Sequence, residues 1–64
     1  MAKFIEVKDA MGEEALIDPL SVQAVEQIPE ENKTIVYFTG RFSMELTEPY
    51  EELKHKLNEA LEFF

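Results

Sequence analysis

This sequence contains no cysteine, so neither a disulfide framework nor a thiolate metal site is available to it. Its 64 residues include one histidine and two glycines. Gly12 and Gly40 stand far apart, which excludes a glycine-rich loop that cradles phosphate. Positive charge is also scarce: six Lys and Arg oppose fourteen Asp and Glu, for a net charge of −8. Nucleic-acid affinity is built largely from Lys and Arg neutralising phosphates, so this field repels nucleic acid and anionic membranes. Long apolar runs are missing too. None approaches the roughly 20 residues of a spanning helix, and Met1-Ala2-Lys3-Phe4-Ile5-Glu6 meets charge too early for a signal-peptide core. The expectation is a cytoplasmic chain with no membrane contact.

What is present is an apolar fraction of 45%, ordinary for a globular domain. A single small domain over residues 1–64 is expected, near the lower limit for folding without staples. Its core must come from packing within the chain, or partly from a second subunit.

Lys3-Phe4-Ile5-Glu6-Val7-Lys8 is rich in strand formers and runs into Asp9-Ala10-Met11-Gly12, a turn. Glu13-Glu14-Ala15-Leu16-Ile17 reads as the return strand of a hairpin. At Asp18-Pro19-Leu20-Ser21 the chain turns a corner, with Asp18 capping exposed amides and Pro19 where no N–H is needed. Val22 to Ile28 fits a short helix nearly as well as a strand. The strand reading is preferred because Pro29-Glu30-Glu31-Asn32 is a natural hairpin loop into the next one. That next strand, Lys33 to Phe38, is apolar on both faces, with Ile35 and Tyr37 on one and Val36 and Phe38 on the other. Thr39-Gly40 reads as a tight connection. Arg41 to Leu46 then alternates, placing Phe42, Met44 and Leu46 inward and Arg41, Ser43 and Glu45 in water.

A helix over about 48–63 follows, with Thr47 as its N-cap and Pro49 in its first turn. Glu48, Glu51 and Glu52 set negative charge against the positive end of its dipole. Tyr50, Leu53, Leu57, Ala60, Leu61 and Phe64 form one apolar stripe at helical spacing. Lys54 and Lys56 follow Glu51 and Glu52 on the solvated side.

Residues able to do chemistry are few. Glu51, His55 and Glu59 make a row that could in principle hold a divalent metal, but it lies opposite the apolar stripe and reads as solvated surface. The adjacent carboxylates Glu13-Glu14, Glu30-Glu31 and Glu51-Glu52 share wet environments, whereas acid–base catalysis needs unlike ones. Ser21 and Ser43 lie on no nucleophile elbow, with His55 the sole candidate base. Arg41 reads as an exposed strand residue. No catalytic residue, cofactor or metal is expected. Phe63 sits off the helix stripe, so Phe63 and Phe64 either fold back over the sheet or meet another subunit.

The order of strands, the Gly turns, the Asp-Pro corner and the segment Leu46-Thr47-Glu48-Pro49-Tyr50-Glu51-Glu52-Leu53 resemble the small flagellar FlbD-type proteins. They are also similar to short proteins of Bacteroides-like bacteria. The strand–turn–strand–helix ending is similar to LytTR-type DNA-binding domains as well, whose basic loop residues this chain lacks. None of these resemblances implies catalytic residues.

The expected fold is α+β: a bent antiparallel sheet of four or five strands, over about 3–46, with one C-terminal helix packed on it. Ile5, Val7, Leu16, Ile35, Tyr37, Phe42, Met44 and Leu46 supply the sheet side of the core. Phe4, Val36 and Phe38 fall on the other face, which either closes into a small barrel or is covered by a second copy. The dimer is preferred, with Phe4, Val36, Phe38, Phe63 and Phe64 at its interface. The expected function is a non-catalytic protein-interaction module, self-associating and able to bind a larger protein partner. The alternative is a nucleic-acid-associated regulator by analogy with LytTR-type domains, which the acidic charge disfavours.

Overall fold

Alternating apolar and charged residues make Ile5–Lys8 a strand (β1), with Ile5 and Val7 buried and Glu6 and Lys8 exposed. The computed structural model, which describes residues 4–62, pairs β1 antiparallel with β2 (Glu14–Ile17), placing Ile5 opposite Ile17 and Val7 opposite Ala15. Asp9 organises the turn between them. Its carboxylate accepts the backbone N–H groups of Met11 and Glu13 at 2.9 Å each. Gly12 supplies the left-handed residue, at φ 78°.

Asp18 then caps a single 3₁₀ turn, Pro19–Ser21, accepting the N–H of Leu20 at 3.0 Å. Next comes β3 (Val22–Ile28), so the strand reading of this segment holds. A second 3₁₀ turn, Pro29–Glu31, ends on a left-handed Asn32 and leads into β4 (Lys33–Phe38). Residues Thr39, Gly40 and Arg41 connect β4 to β5 (Phe42–Leu46), and the three strands form an antiparallel sheet in the order β3-β4-β5.

The architecture is α+β with five strands and a C-terminal helix, as expected, but the strands form two sheets rather than one bent sheet or a closed barrel. Among the described residues a single bridge, Asp9 to Leu46, links them. The face of β4 is also the reverse of the expected one. Thr34, Val36 and Phe38 are buried, while Ile35 is half-buried and Tyr37 exposed. The connecting loop explains this. Phe38 pairs with Phe42, so the loop holds three residues rather than two. One extra residue in a hairpin loop shifts the register by one and exchanges the faces that meet. Val36 therefore lies opposite Met44, and both Val36 and Phe38 belong to this chain's own core. They are not on a free face. Leu16 was expected inside but is 64% exposed, since its neighbour Ile17 takes the buried position.

The helix, α1 (Tyr50–Leu61), starts two residues later than expected and has Pro49 at its N-cap, with no side-chain cap. Leu53 and Ala60 are buried, and Tyr50 and Leu57 are half-buried. Leu61 is 41% exposed although it continues the stripe. Thr47, expected to cap the helix, instead donates its hydroxyl to the carbonyl of Asp9 at 3.0 Å.

Glu48 takes the most consequential position between sheets and helix. Its side chain is almost wholly buried, with 7% exposed. One carboxylate oxygen accepts the N–H of Lys8 at 3.1 Å, and the other pairs with Lys56 Nζ at 2.7 Å. Lys56 also donates to the carbonyl of Glu6 at 2.7 Å. Thr34 donates its hydroxyl to the Glu48 carbonyl at 2.8 Å. One residue thus ties β1, β4 and α1 together. A buried carboxylate is tolerable only when paired and hydrogen-bonded in this way. Lys56, expected on the solvated side, is half-buried because it serves this pair.

Candidate interaction surfaces

Two surfaces of the molecule remain incompletely satisfied. The first lies where β2 faces the β4–β5 hairpin. Because the two sheets do not close, Leu16, Ile17, Phe38, Phe42 and Met44 line a shallow open depression, with Asp18 and Ser21 at its edge. Phe42 is 58% exposed and stacks in a tilted arrangement on Phe38, with ring centroids 5.5 Å apart. Phe38 therefore contributes to this surface from beneath, as the buried floor under an exposed ring.

The second surface is the outer edge of β3. This strand is the longest of the five, and its only partner among the described residues is β4. Besides its pairing with β4, the backbone hydrogen bond given for Val22–Ile28 among the described residues lies at its first residue, where the Val22 N–H donates to the Pro19 carbonyl. An edge strand turns every second residue's N–H and C=O away from its one neighbour. Along this edge Val25, Tyr50 and Leu57, all half-buried, line a groove between β3 and α1, with Lys54 and Asn58 on its helix side. Sequence reading assigned no role to this edge. The available signal was seven strand residues with one charge, Glu26, followed by a proline.

The residues expected at an interface are scattered. Val36 is fully buried and Phe38 is 8% exposed, both inside one chain. Phe4 is 62% exposed, and it lies beside Ile5, Lys56 and Ala60 rather than with the other apolar residues described above. Phe63 and Phe64 lie outside the described residues.

Among the described residues the titratable groups form no enclosed centre. His55 is 75% exposed on α1 and meets Glu59 at 3.0 Å, so two members of the Glu51/His55/Glu59 row come together. Among the described residues no three His, Asp or Glu side chains converge as metal ligands. Ser21 donates its hydroxyl to Asp18, and Ser43 lies exposed on the outer face of β5. Across the β1–β2 hairpin, Glu14 holds the Glu6 carboxyl above its ordinary range by hydrogen bonding and charge, while Glu6 and then Lys8 hold Glu14 below it. Both carboxylates are exposed, so solvent screens the difference and no substrate is enclosed. Among the described residues no helix is long and apolar enough to cross a membrane.

Compared with known proteins, the chain matches no family model, no curated protein and no solved structure. The likeness to the FlbD-type and Bacteroides-like proteins therefore rests on pattern alone.

Proposed function

We propose that this chain is a non-catalytic protein-interaction module that self-associates, the dimer being the favoured state, and that also has surface for a larger protein partner. The observation that supports it is apolar surface left open by the fold. Leu16 and Phe42, each more than half exposed, gather over Phe38 and Met44 at one depression. Single exposed apolar residues are ordinary, but a contiguous group on a small protein marks an interaction site. Size argues the same way, since a 64-residue chain without cysteines gains proportionately from apolar area buried against another subunit. The same proposal places the module in the cytoplasm, where a protein without disulfides loses nothing to reducing conditions. A catalytic role has less support, because the one imidazole sits on open surface and the buried carboxylate, Glu48, is taken up by Lys8 and Lys56.

Sedimentation at tens of micromolar tests the reading. A mass of twice 7.4 kDa is expected. A compact monomer throughout that range would rule self-association out.

A further inference from the structure

We propose that two copies of this chain join through their β3 strands, paired antiparallel about a two-fold axis through Val25, into a continuous six-stranded sheet. This deepens the self-association reading and rests on it. Beyond Val22, whose N–H goes to the Pro19 carbonyl, the outer edge of β3 has no strand partner among the described residues, and another strand satisfies its outward donors and acceptors most completely.

The register follows from the sequence of the strand. An antiparallel two-fold pairing that keeps both core faces on the same side must centre on one residue. Centred on Val25, it sets Val25 opposite Val25 and Ala24 opposite Glu26, and the bulge at Gln23 ends the regular pairing on either side. Apolar meets apolar at the axis, and no like charges face each other. Centring on Glu26 would oppose two carboxylates, which is destabilising. Centring on Gln27 would set Val25 against Pro29, which has no N–H to give. Centring on Ala24 would put the bulge at Gln23 directly beside the axis, whereas a Val25 centre keeps it one position further out.

Charge selects the same edge. A chain of net charge −8 repels its own copy, so copies approach most easily where charge is sparse. One charged residue in seven makes β3 such a place, unlike the acidic β1–β2 turn or the outer face of α1. A strand edge alone falls short of the roughly 800 Å² per partner that stable interfaces bury. The groove of Val25, Tyr50 and Leu57 beside it supplies further apolar area on the core side of the joined sheet.

Charge exchange at positions 24 and 26 tests the register, because both residues are exposed and far from the core. Ala24→Glu would set two carboxylate pairs face to face across the axis and is expected to weaken dimerisation roughly tenfold or more, since each cross-strand pair counts twice. Adding Glu26→Lys to that variant converts both conflicts into ion pairs and should restore the wild-type dissociation constant. Far-UV circular dichroism melts establish that each variant remains folded. A wild-type dimer that is insensitive to Ala24→Glu, and is lost instead in Phe42→Ser, would overturn the β3 contact while leaving self-association intact. A wild-type monomer would overturn both.

Discussion

The two sheets of this chain meet in two places, and they meet differently. Where β1 reaches the end of β5, the gap is filled by polar atoms: the Asp9–Leu46 bridge, the Thr47 hydroxyl on Asp9, and Glu48 with its three hydrogen-bonding and ionic links through Lys8, Lys56 and Thr34. Where β2 faces the β4–β5 hairpin, no backbone bridge forms and apolar side chains stand in an open depression. The first junction fixes the relative position of sheets and helix. Hydrogen bonds and ion pairs are directional, and a buried carboxylate is costly in any other arrangement. The second tolerates change, because an exposed Phe loses little when it moves. Polar groups therefore secure this fold where it is closed, and apolar groups face outward where it is open.

The largest effect should separate the two junctions by truncation. Leu46→Ala, at a residue 1% exposed beside the closed junction, is expected to cost about 2–4 kcal/mol. That could leave so small a domain largely unfolded. Phe42→Ala removes a larger side chain from the open junction but should cost about 1 kcal/mol or less. Urea melts of the two variants compare them directly, and equal losses would mean that the depression is closed in solution.

A smaller effect probes the polar links. Glu48→Gln keeps the volume and an acceptor for the Lys8 N–H but removes the ion pair with Lys56, at an expected cost of about 1–2 kcal/mol. In a double-mutant cycle with Lys56→Gln, the pair should show a clear coupling energy that survives added salt, because one partner is buried. Coupling near zero would reduce Glu48 to a surface pair.

The smallest effect concerns pH on the outer face of β4, away from both junctions. Glu45, and then Glu31, raise the Lys33 ammonium above its ordinary 10.5, and the hydrogen bond from Tyr37 to Glu26 raises the tyrosine above its ordinary 10.0. Each group holds its proton more tightly folded than unfolded. Their contributions are thus fully present below the ordinary values and are lost as pH rises through the raised ones. The thermal midpoint should begin to fall above about pH 10, and less steeply in Glu45→Gln. Both sites are solvent-exposed, so an unchanged slope in that variant would show that screening has removed the ion pair's share.

Local signals carried much of this fold. Asp9 and Gly12 mark the first turn, Asp18-Pro19 the corner and Pro29 to Asn32 the second loop, because each supplies a cap or a backbone angle that acts over a few residues. The alternation in β5 and the apolar stripe of α1 also point the way those elements pack, except at Leu61 and Phe42, which end up exposed. The candidate surfaces were less legible. Val36 and Phe38 read as a free face because β4 is apolar on both sides, and a strand's own pattern cannot say which side meets the core. The outer edge of β3 was invisible for a related reason: nothing in Val22 to Ile28 says whether one neighbour or two will pair with it.

The sequence by itself determined the class of this protein, the order of its elements, its acidity and the absence of any thiol chemistry, since these follow from composition and short-range backbone preferences. Only the tertiary structure decided which face of β4 turns inward, because a third loop residue, Arg41, held at φ 63°, sets a register that side-chain pattern alone leaves open. It alone also made Glu48 a buried link rather than a helix-dipole charge, and β3 an edge. Those outcomes depend on partners up to 40 positions away in β1, β4 and α1, such as Lys8 and Lys56 on either side of one carboxylate.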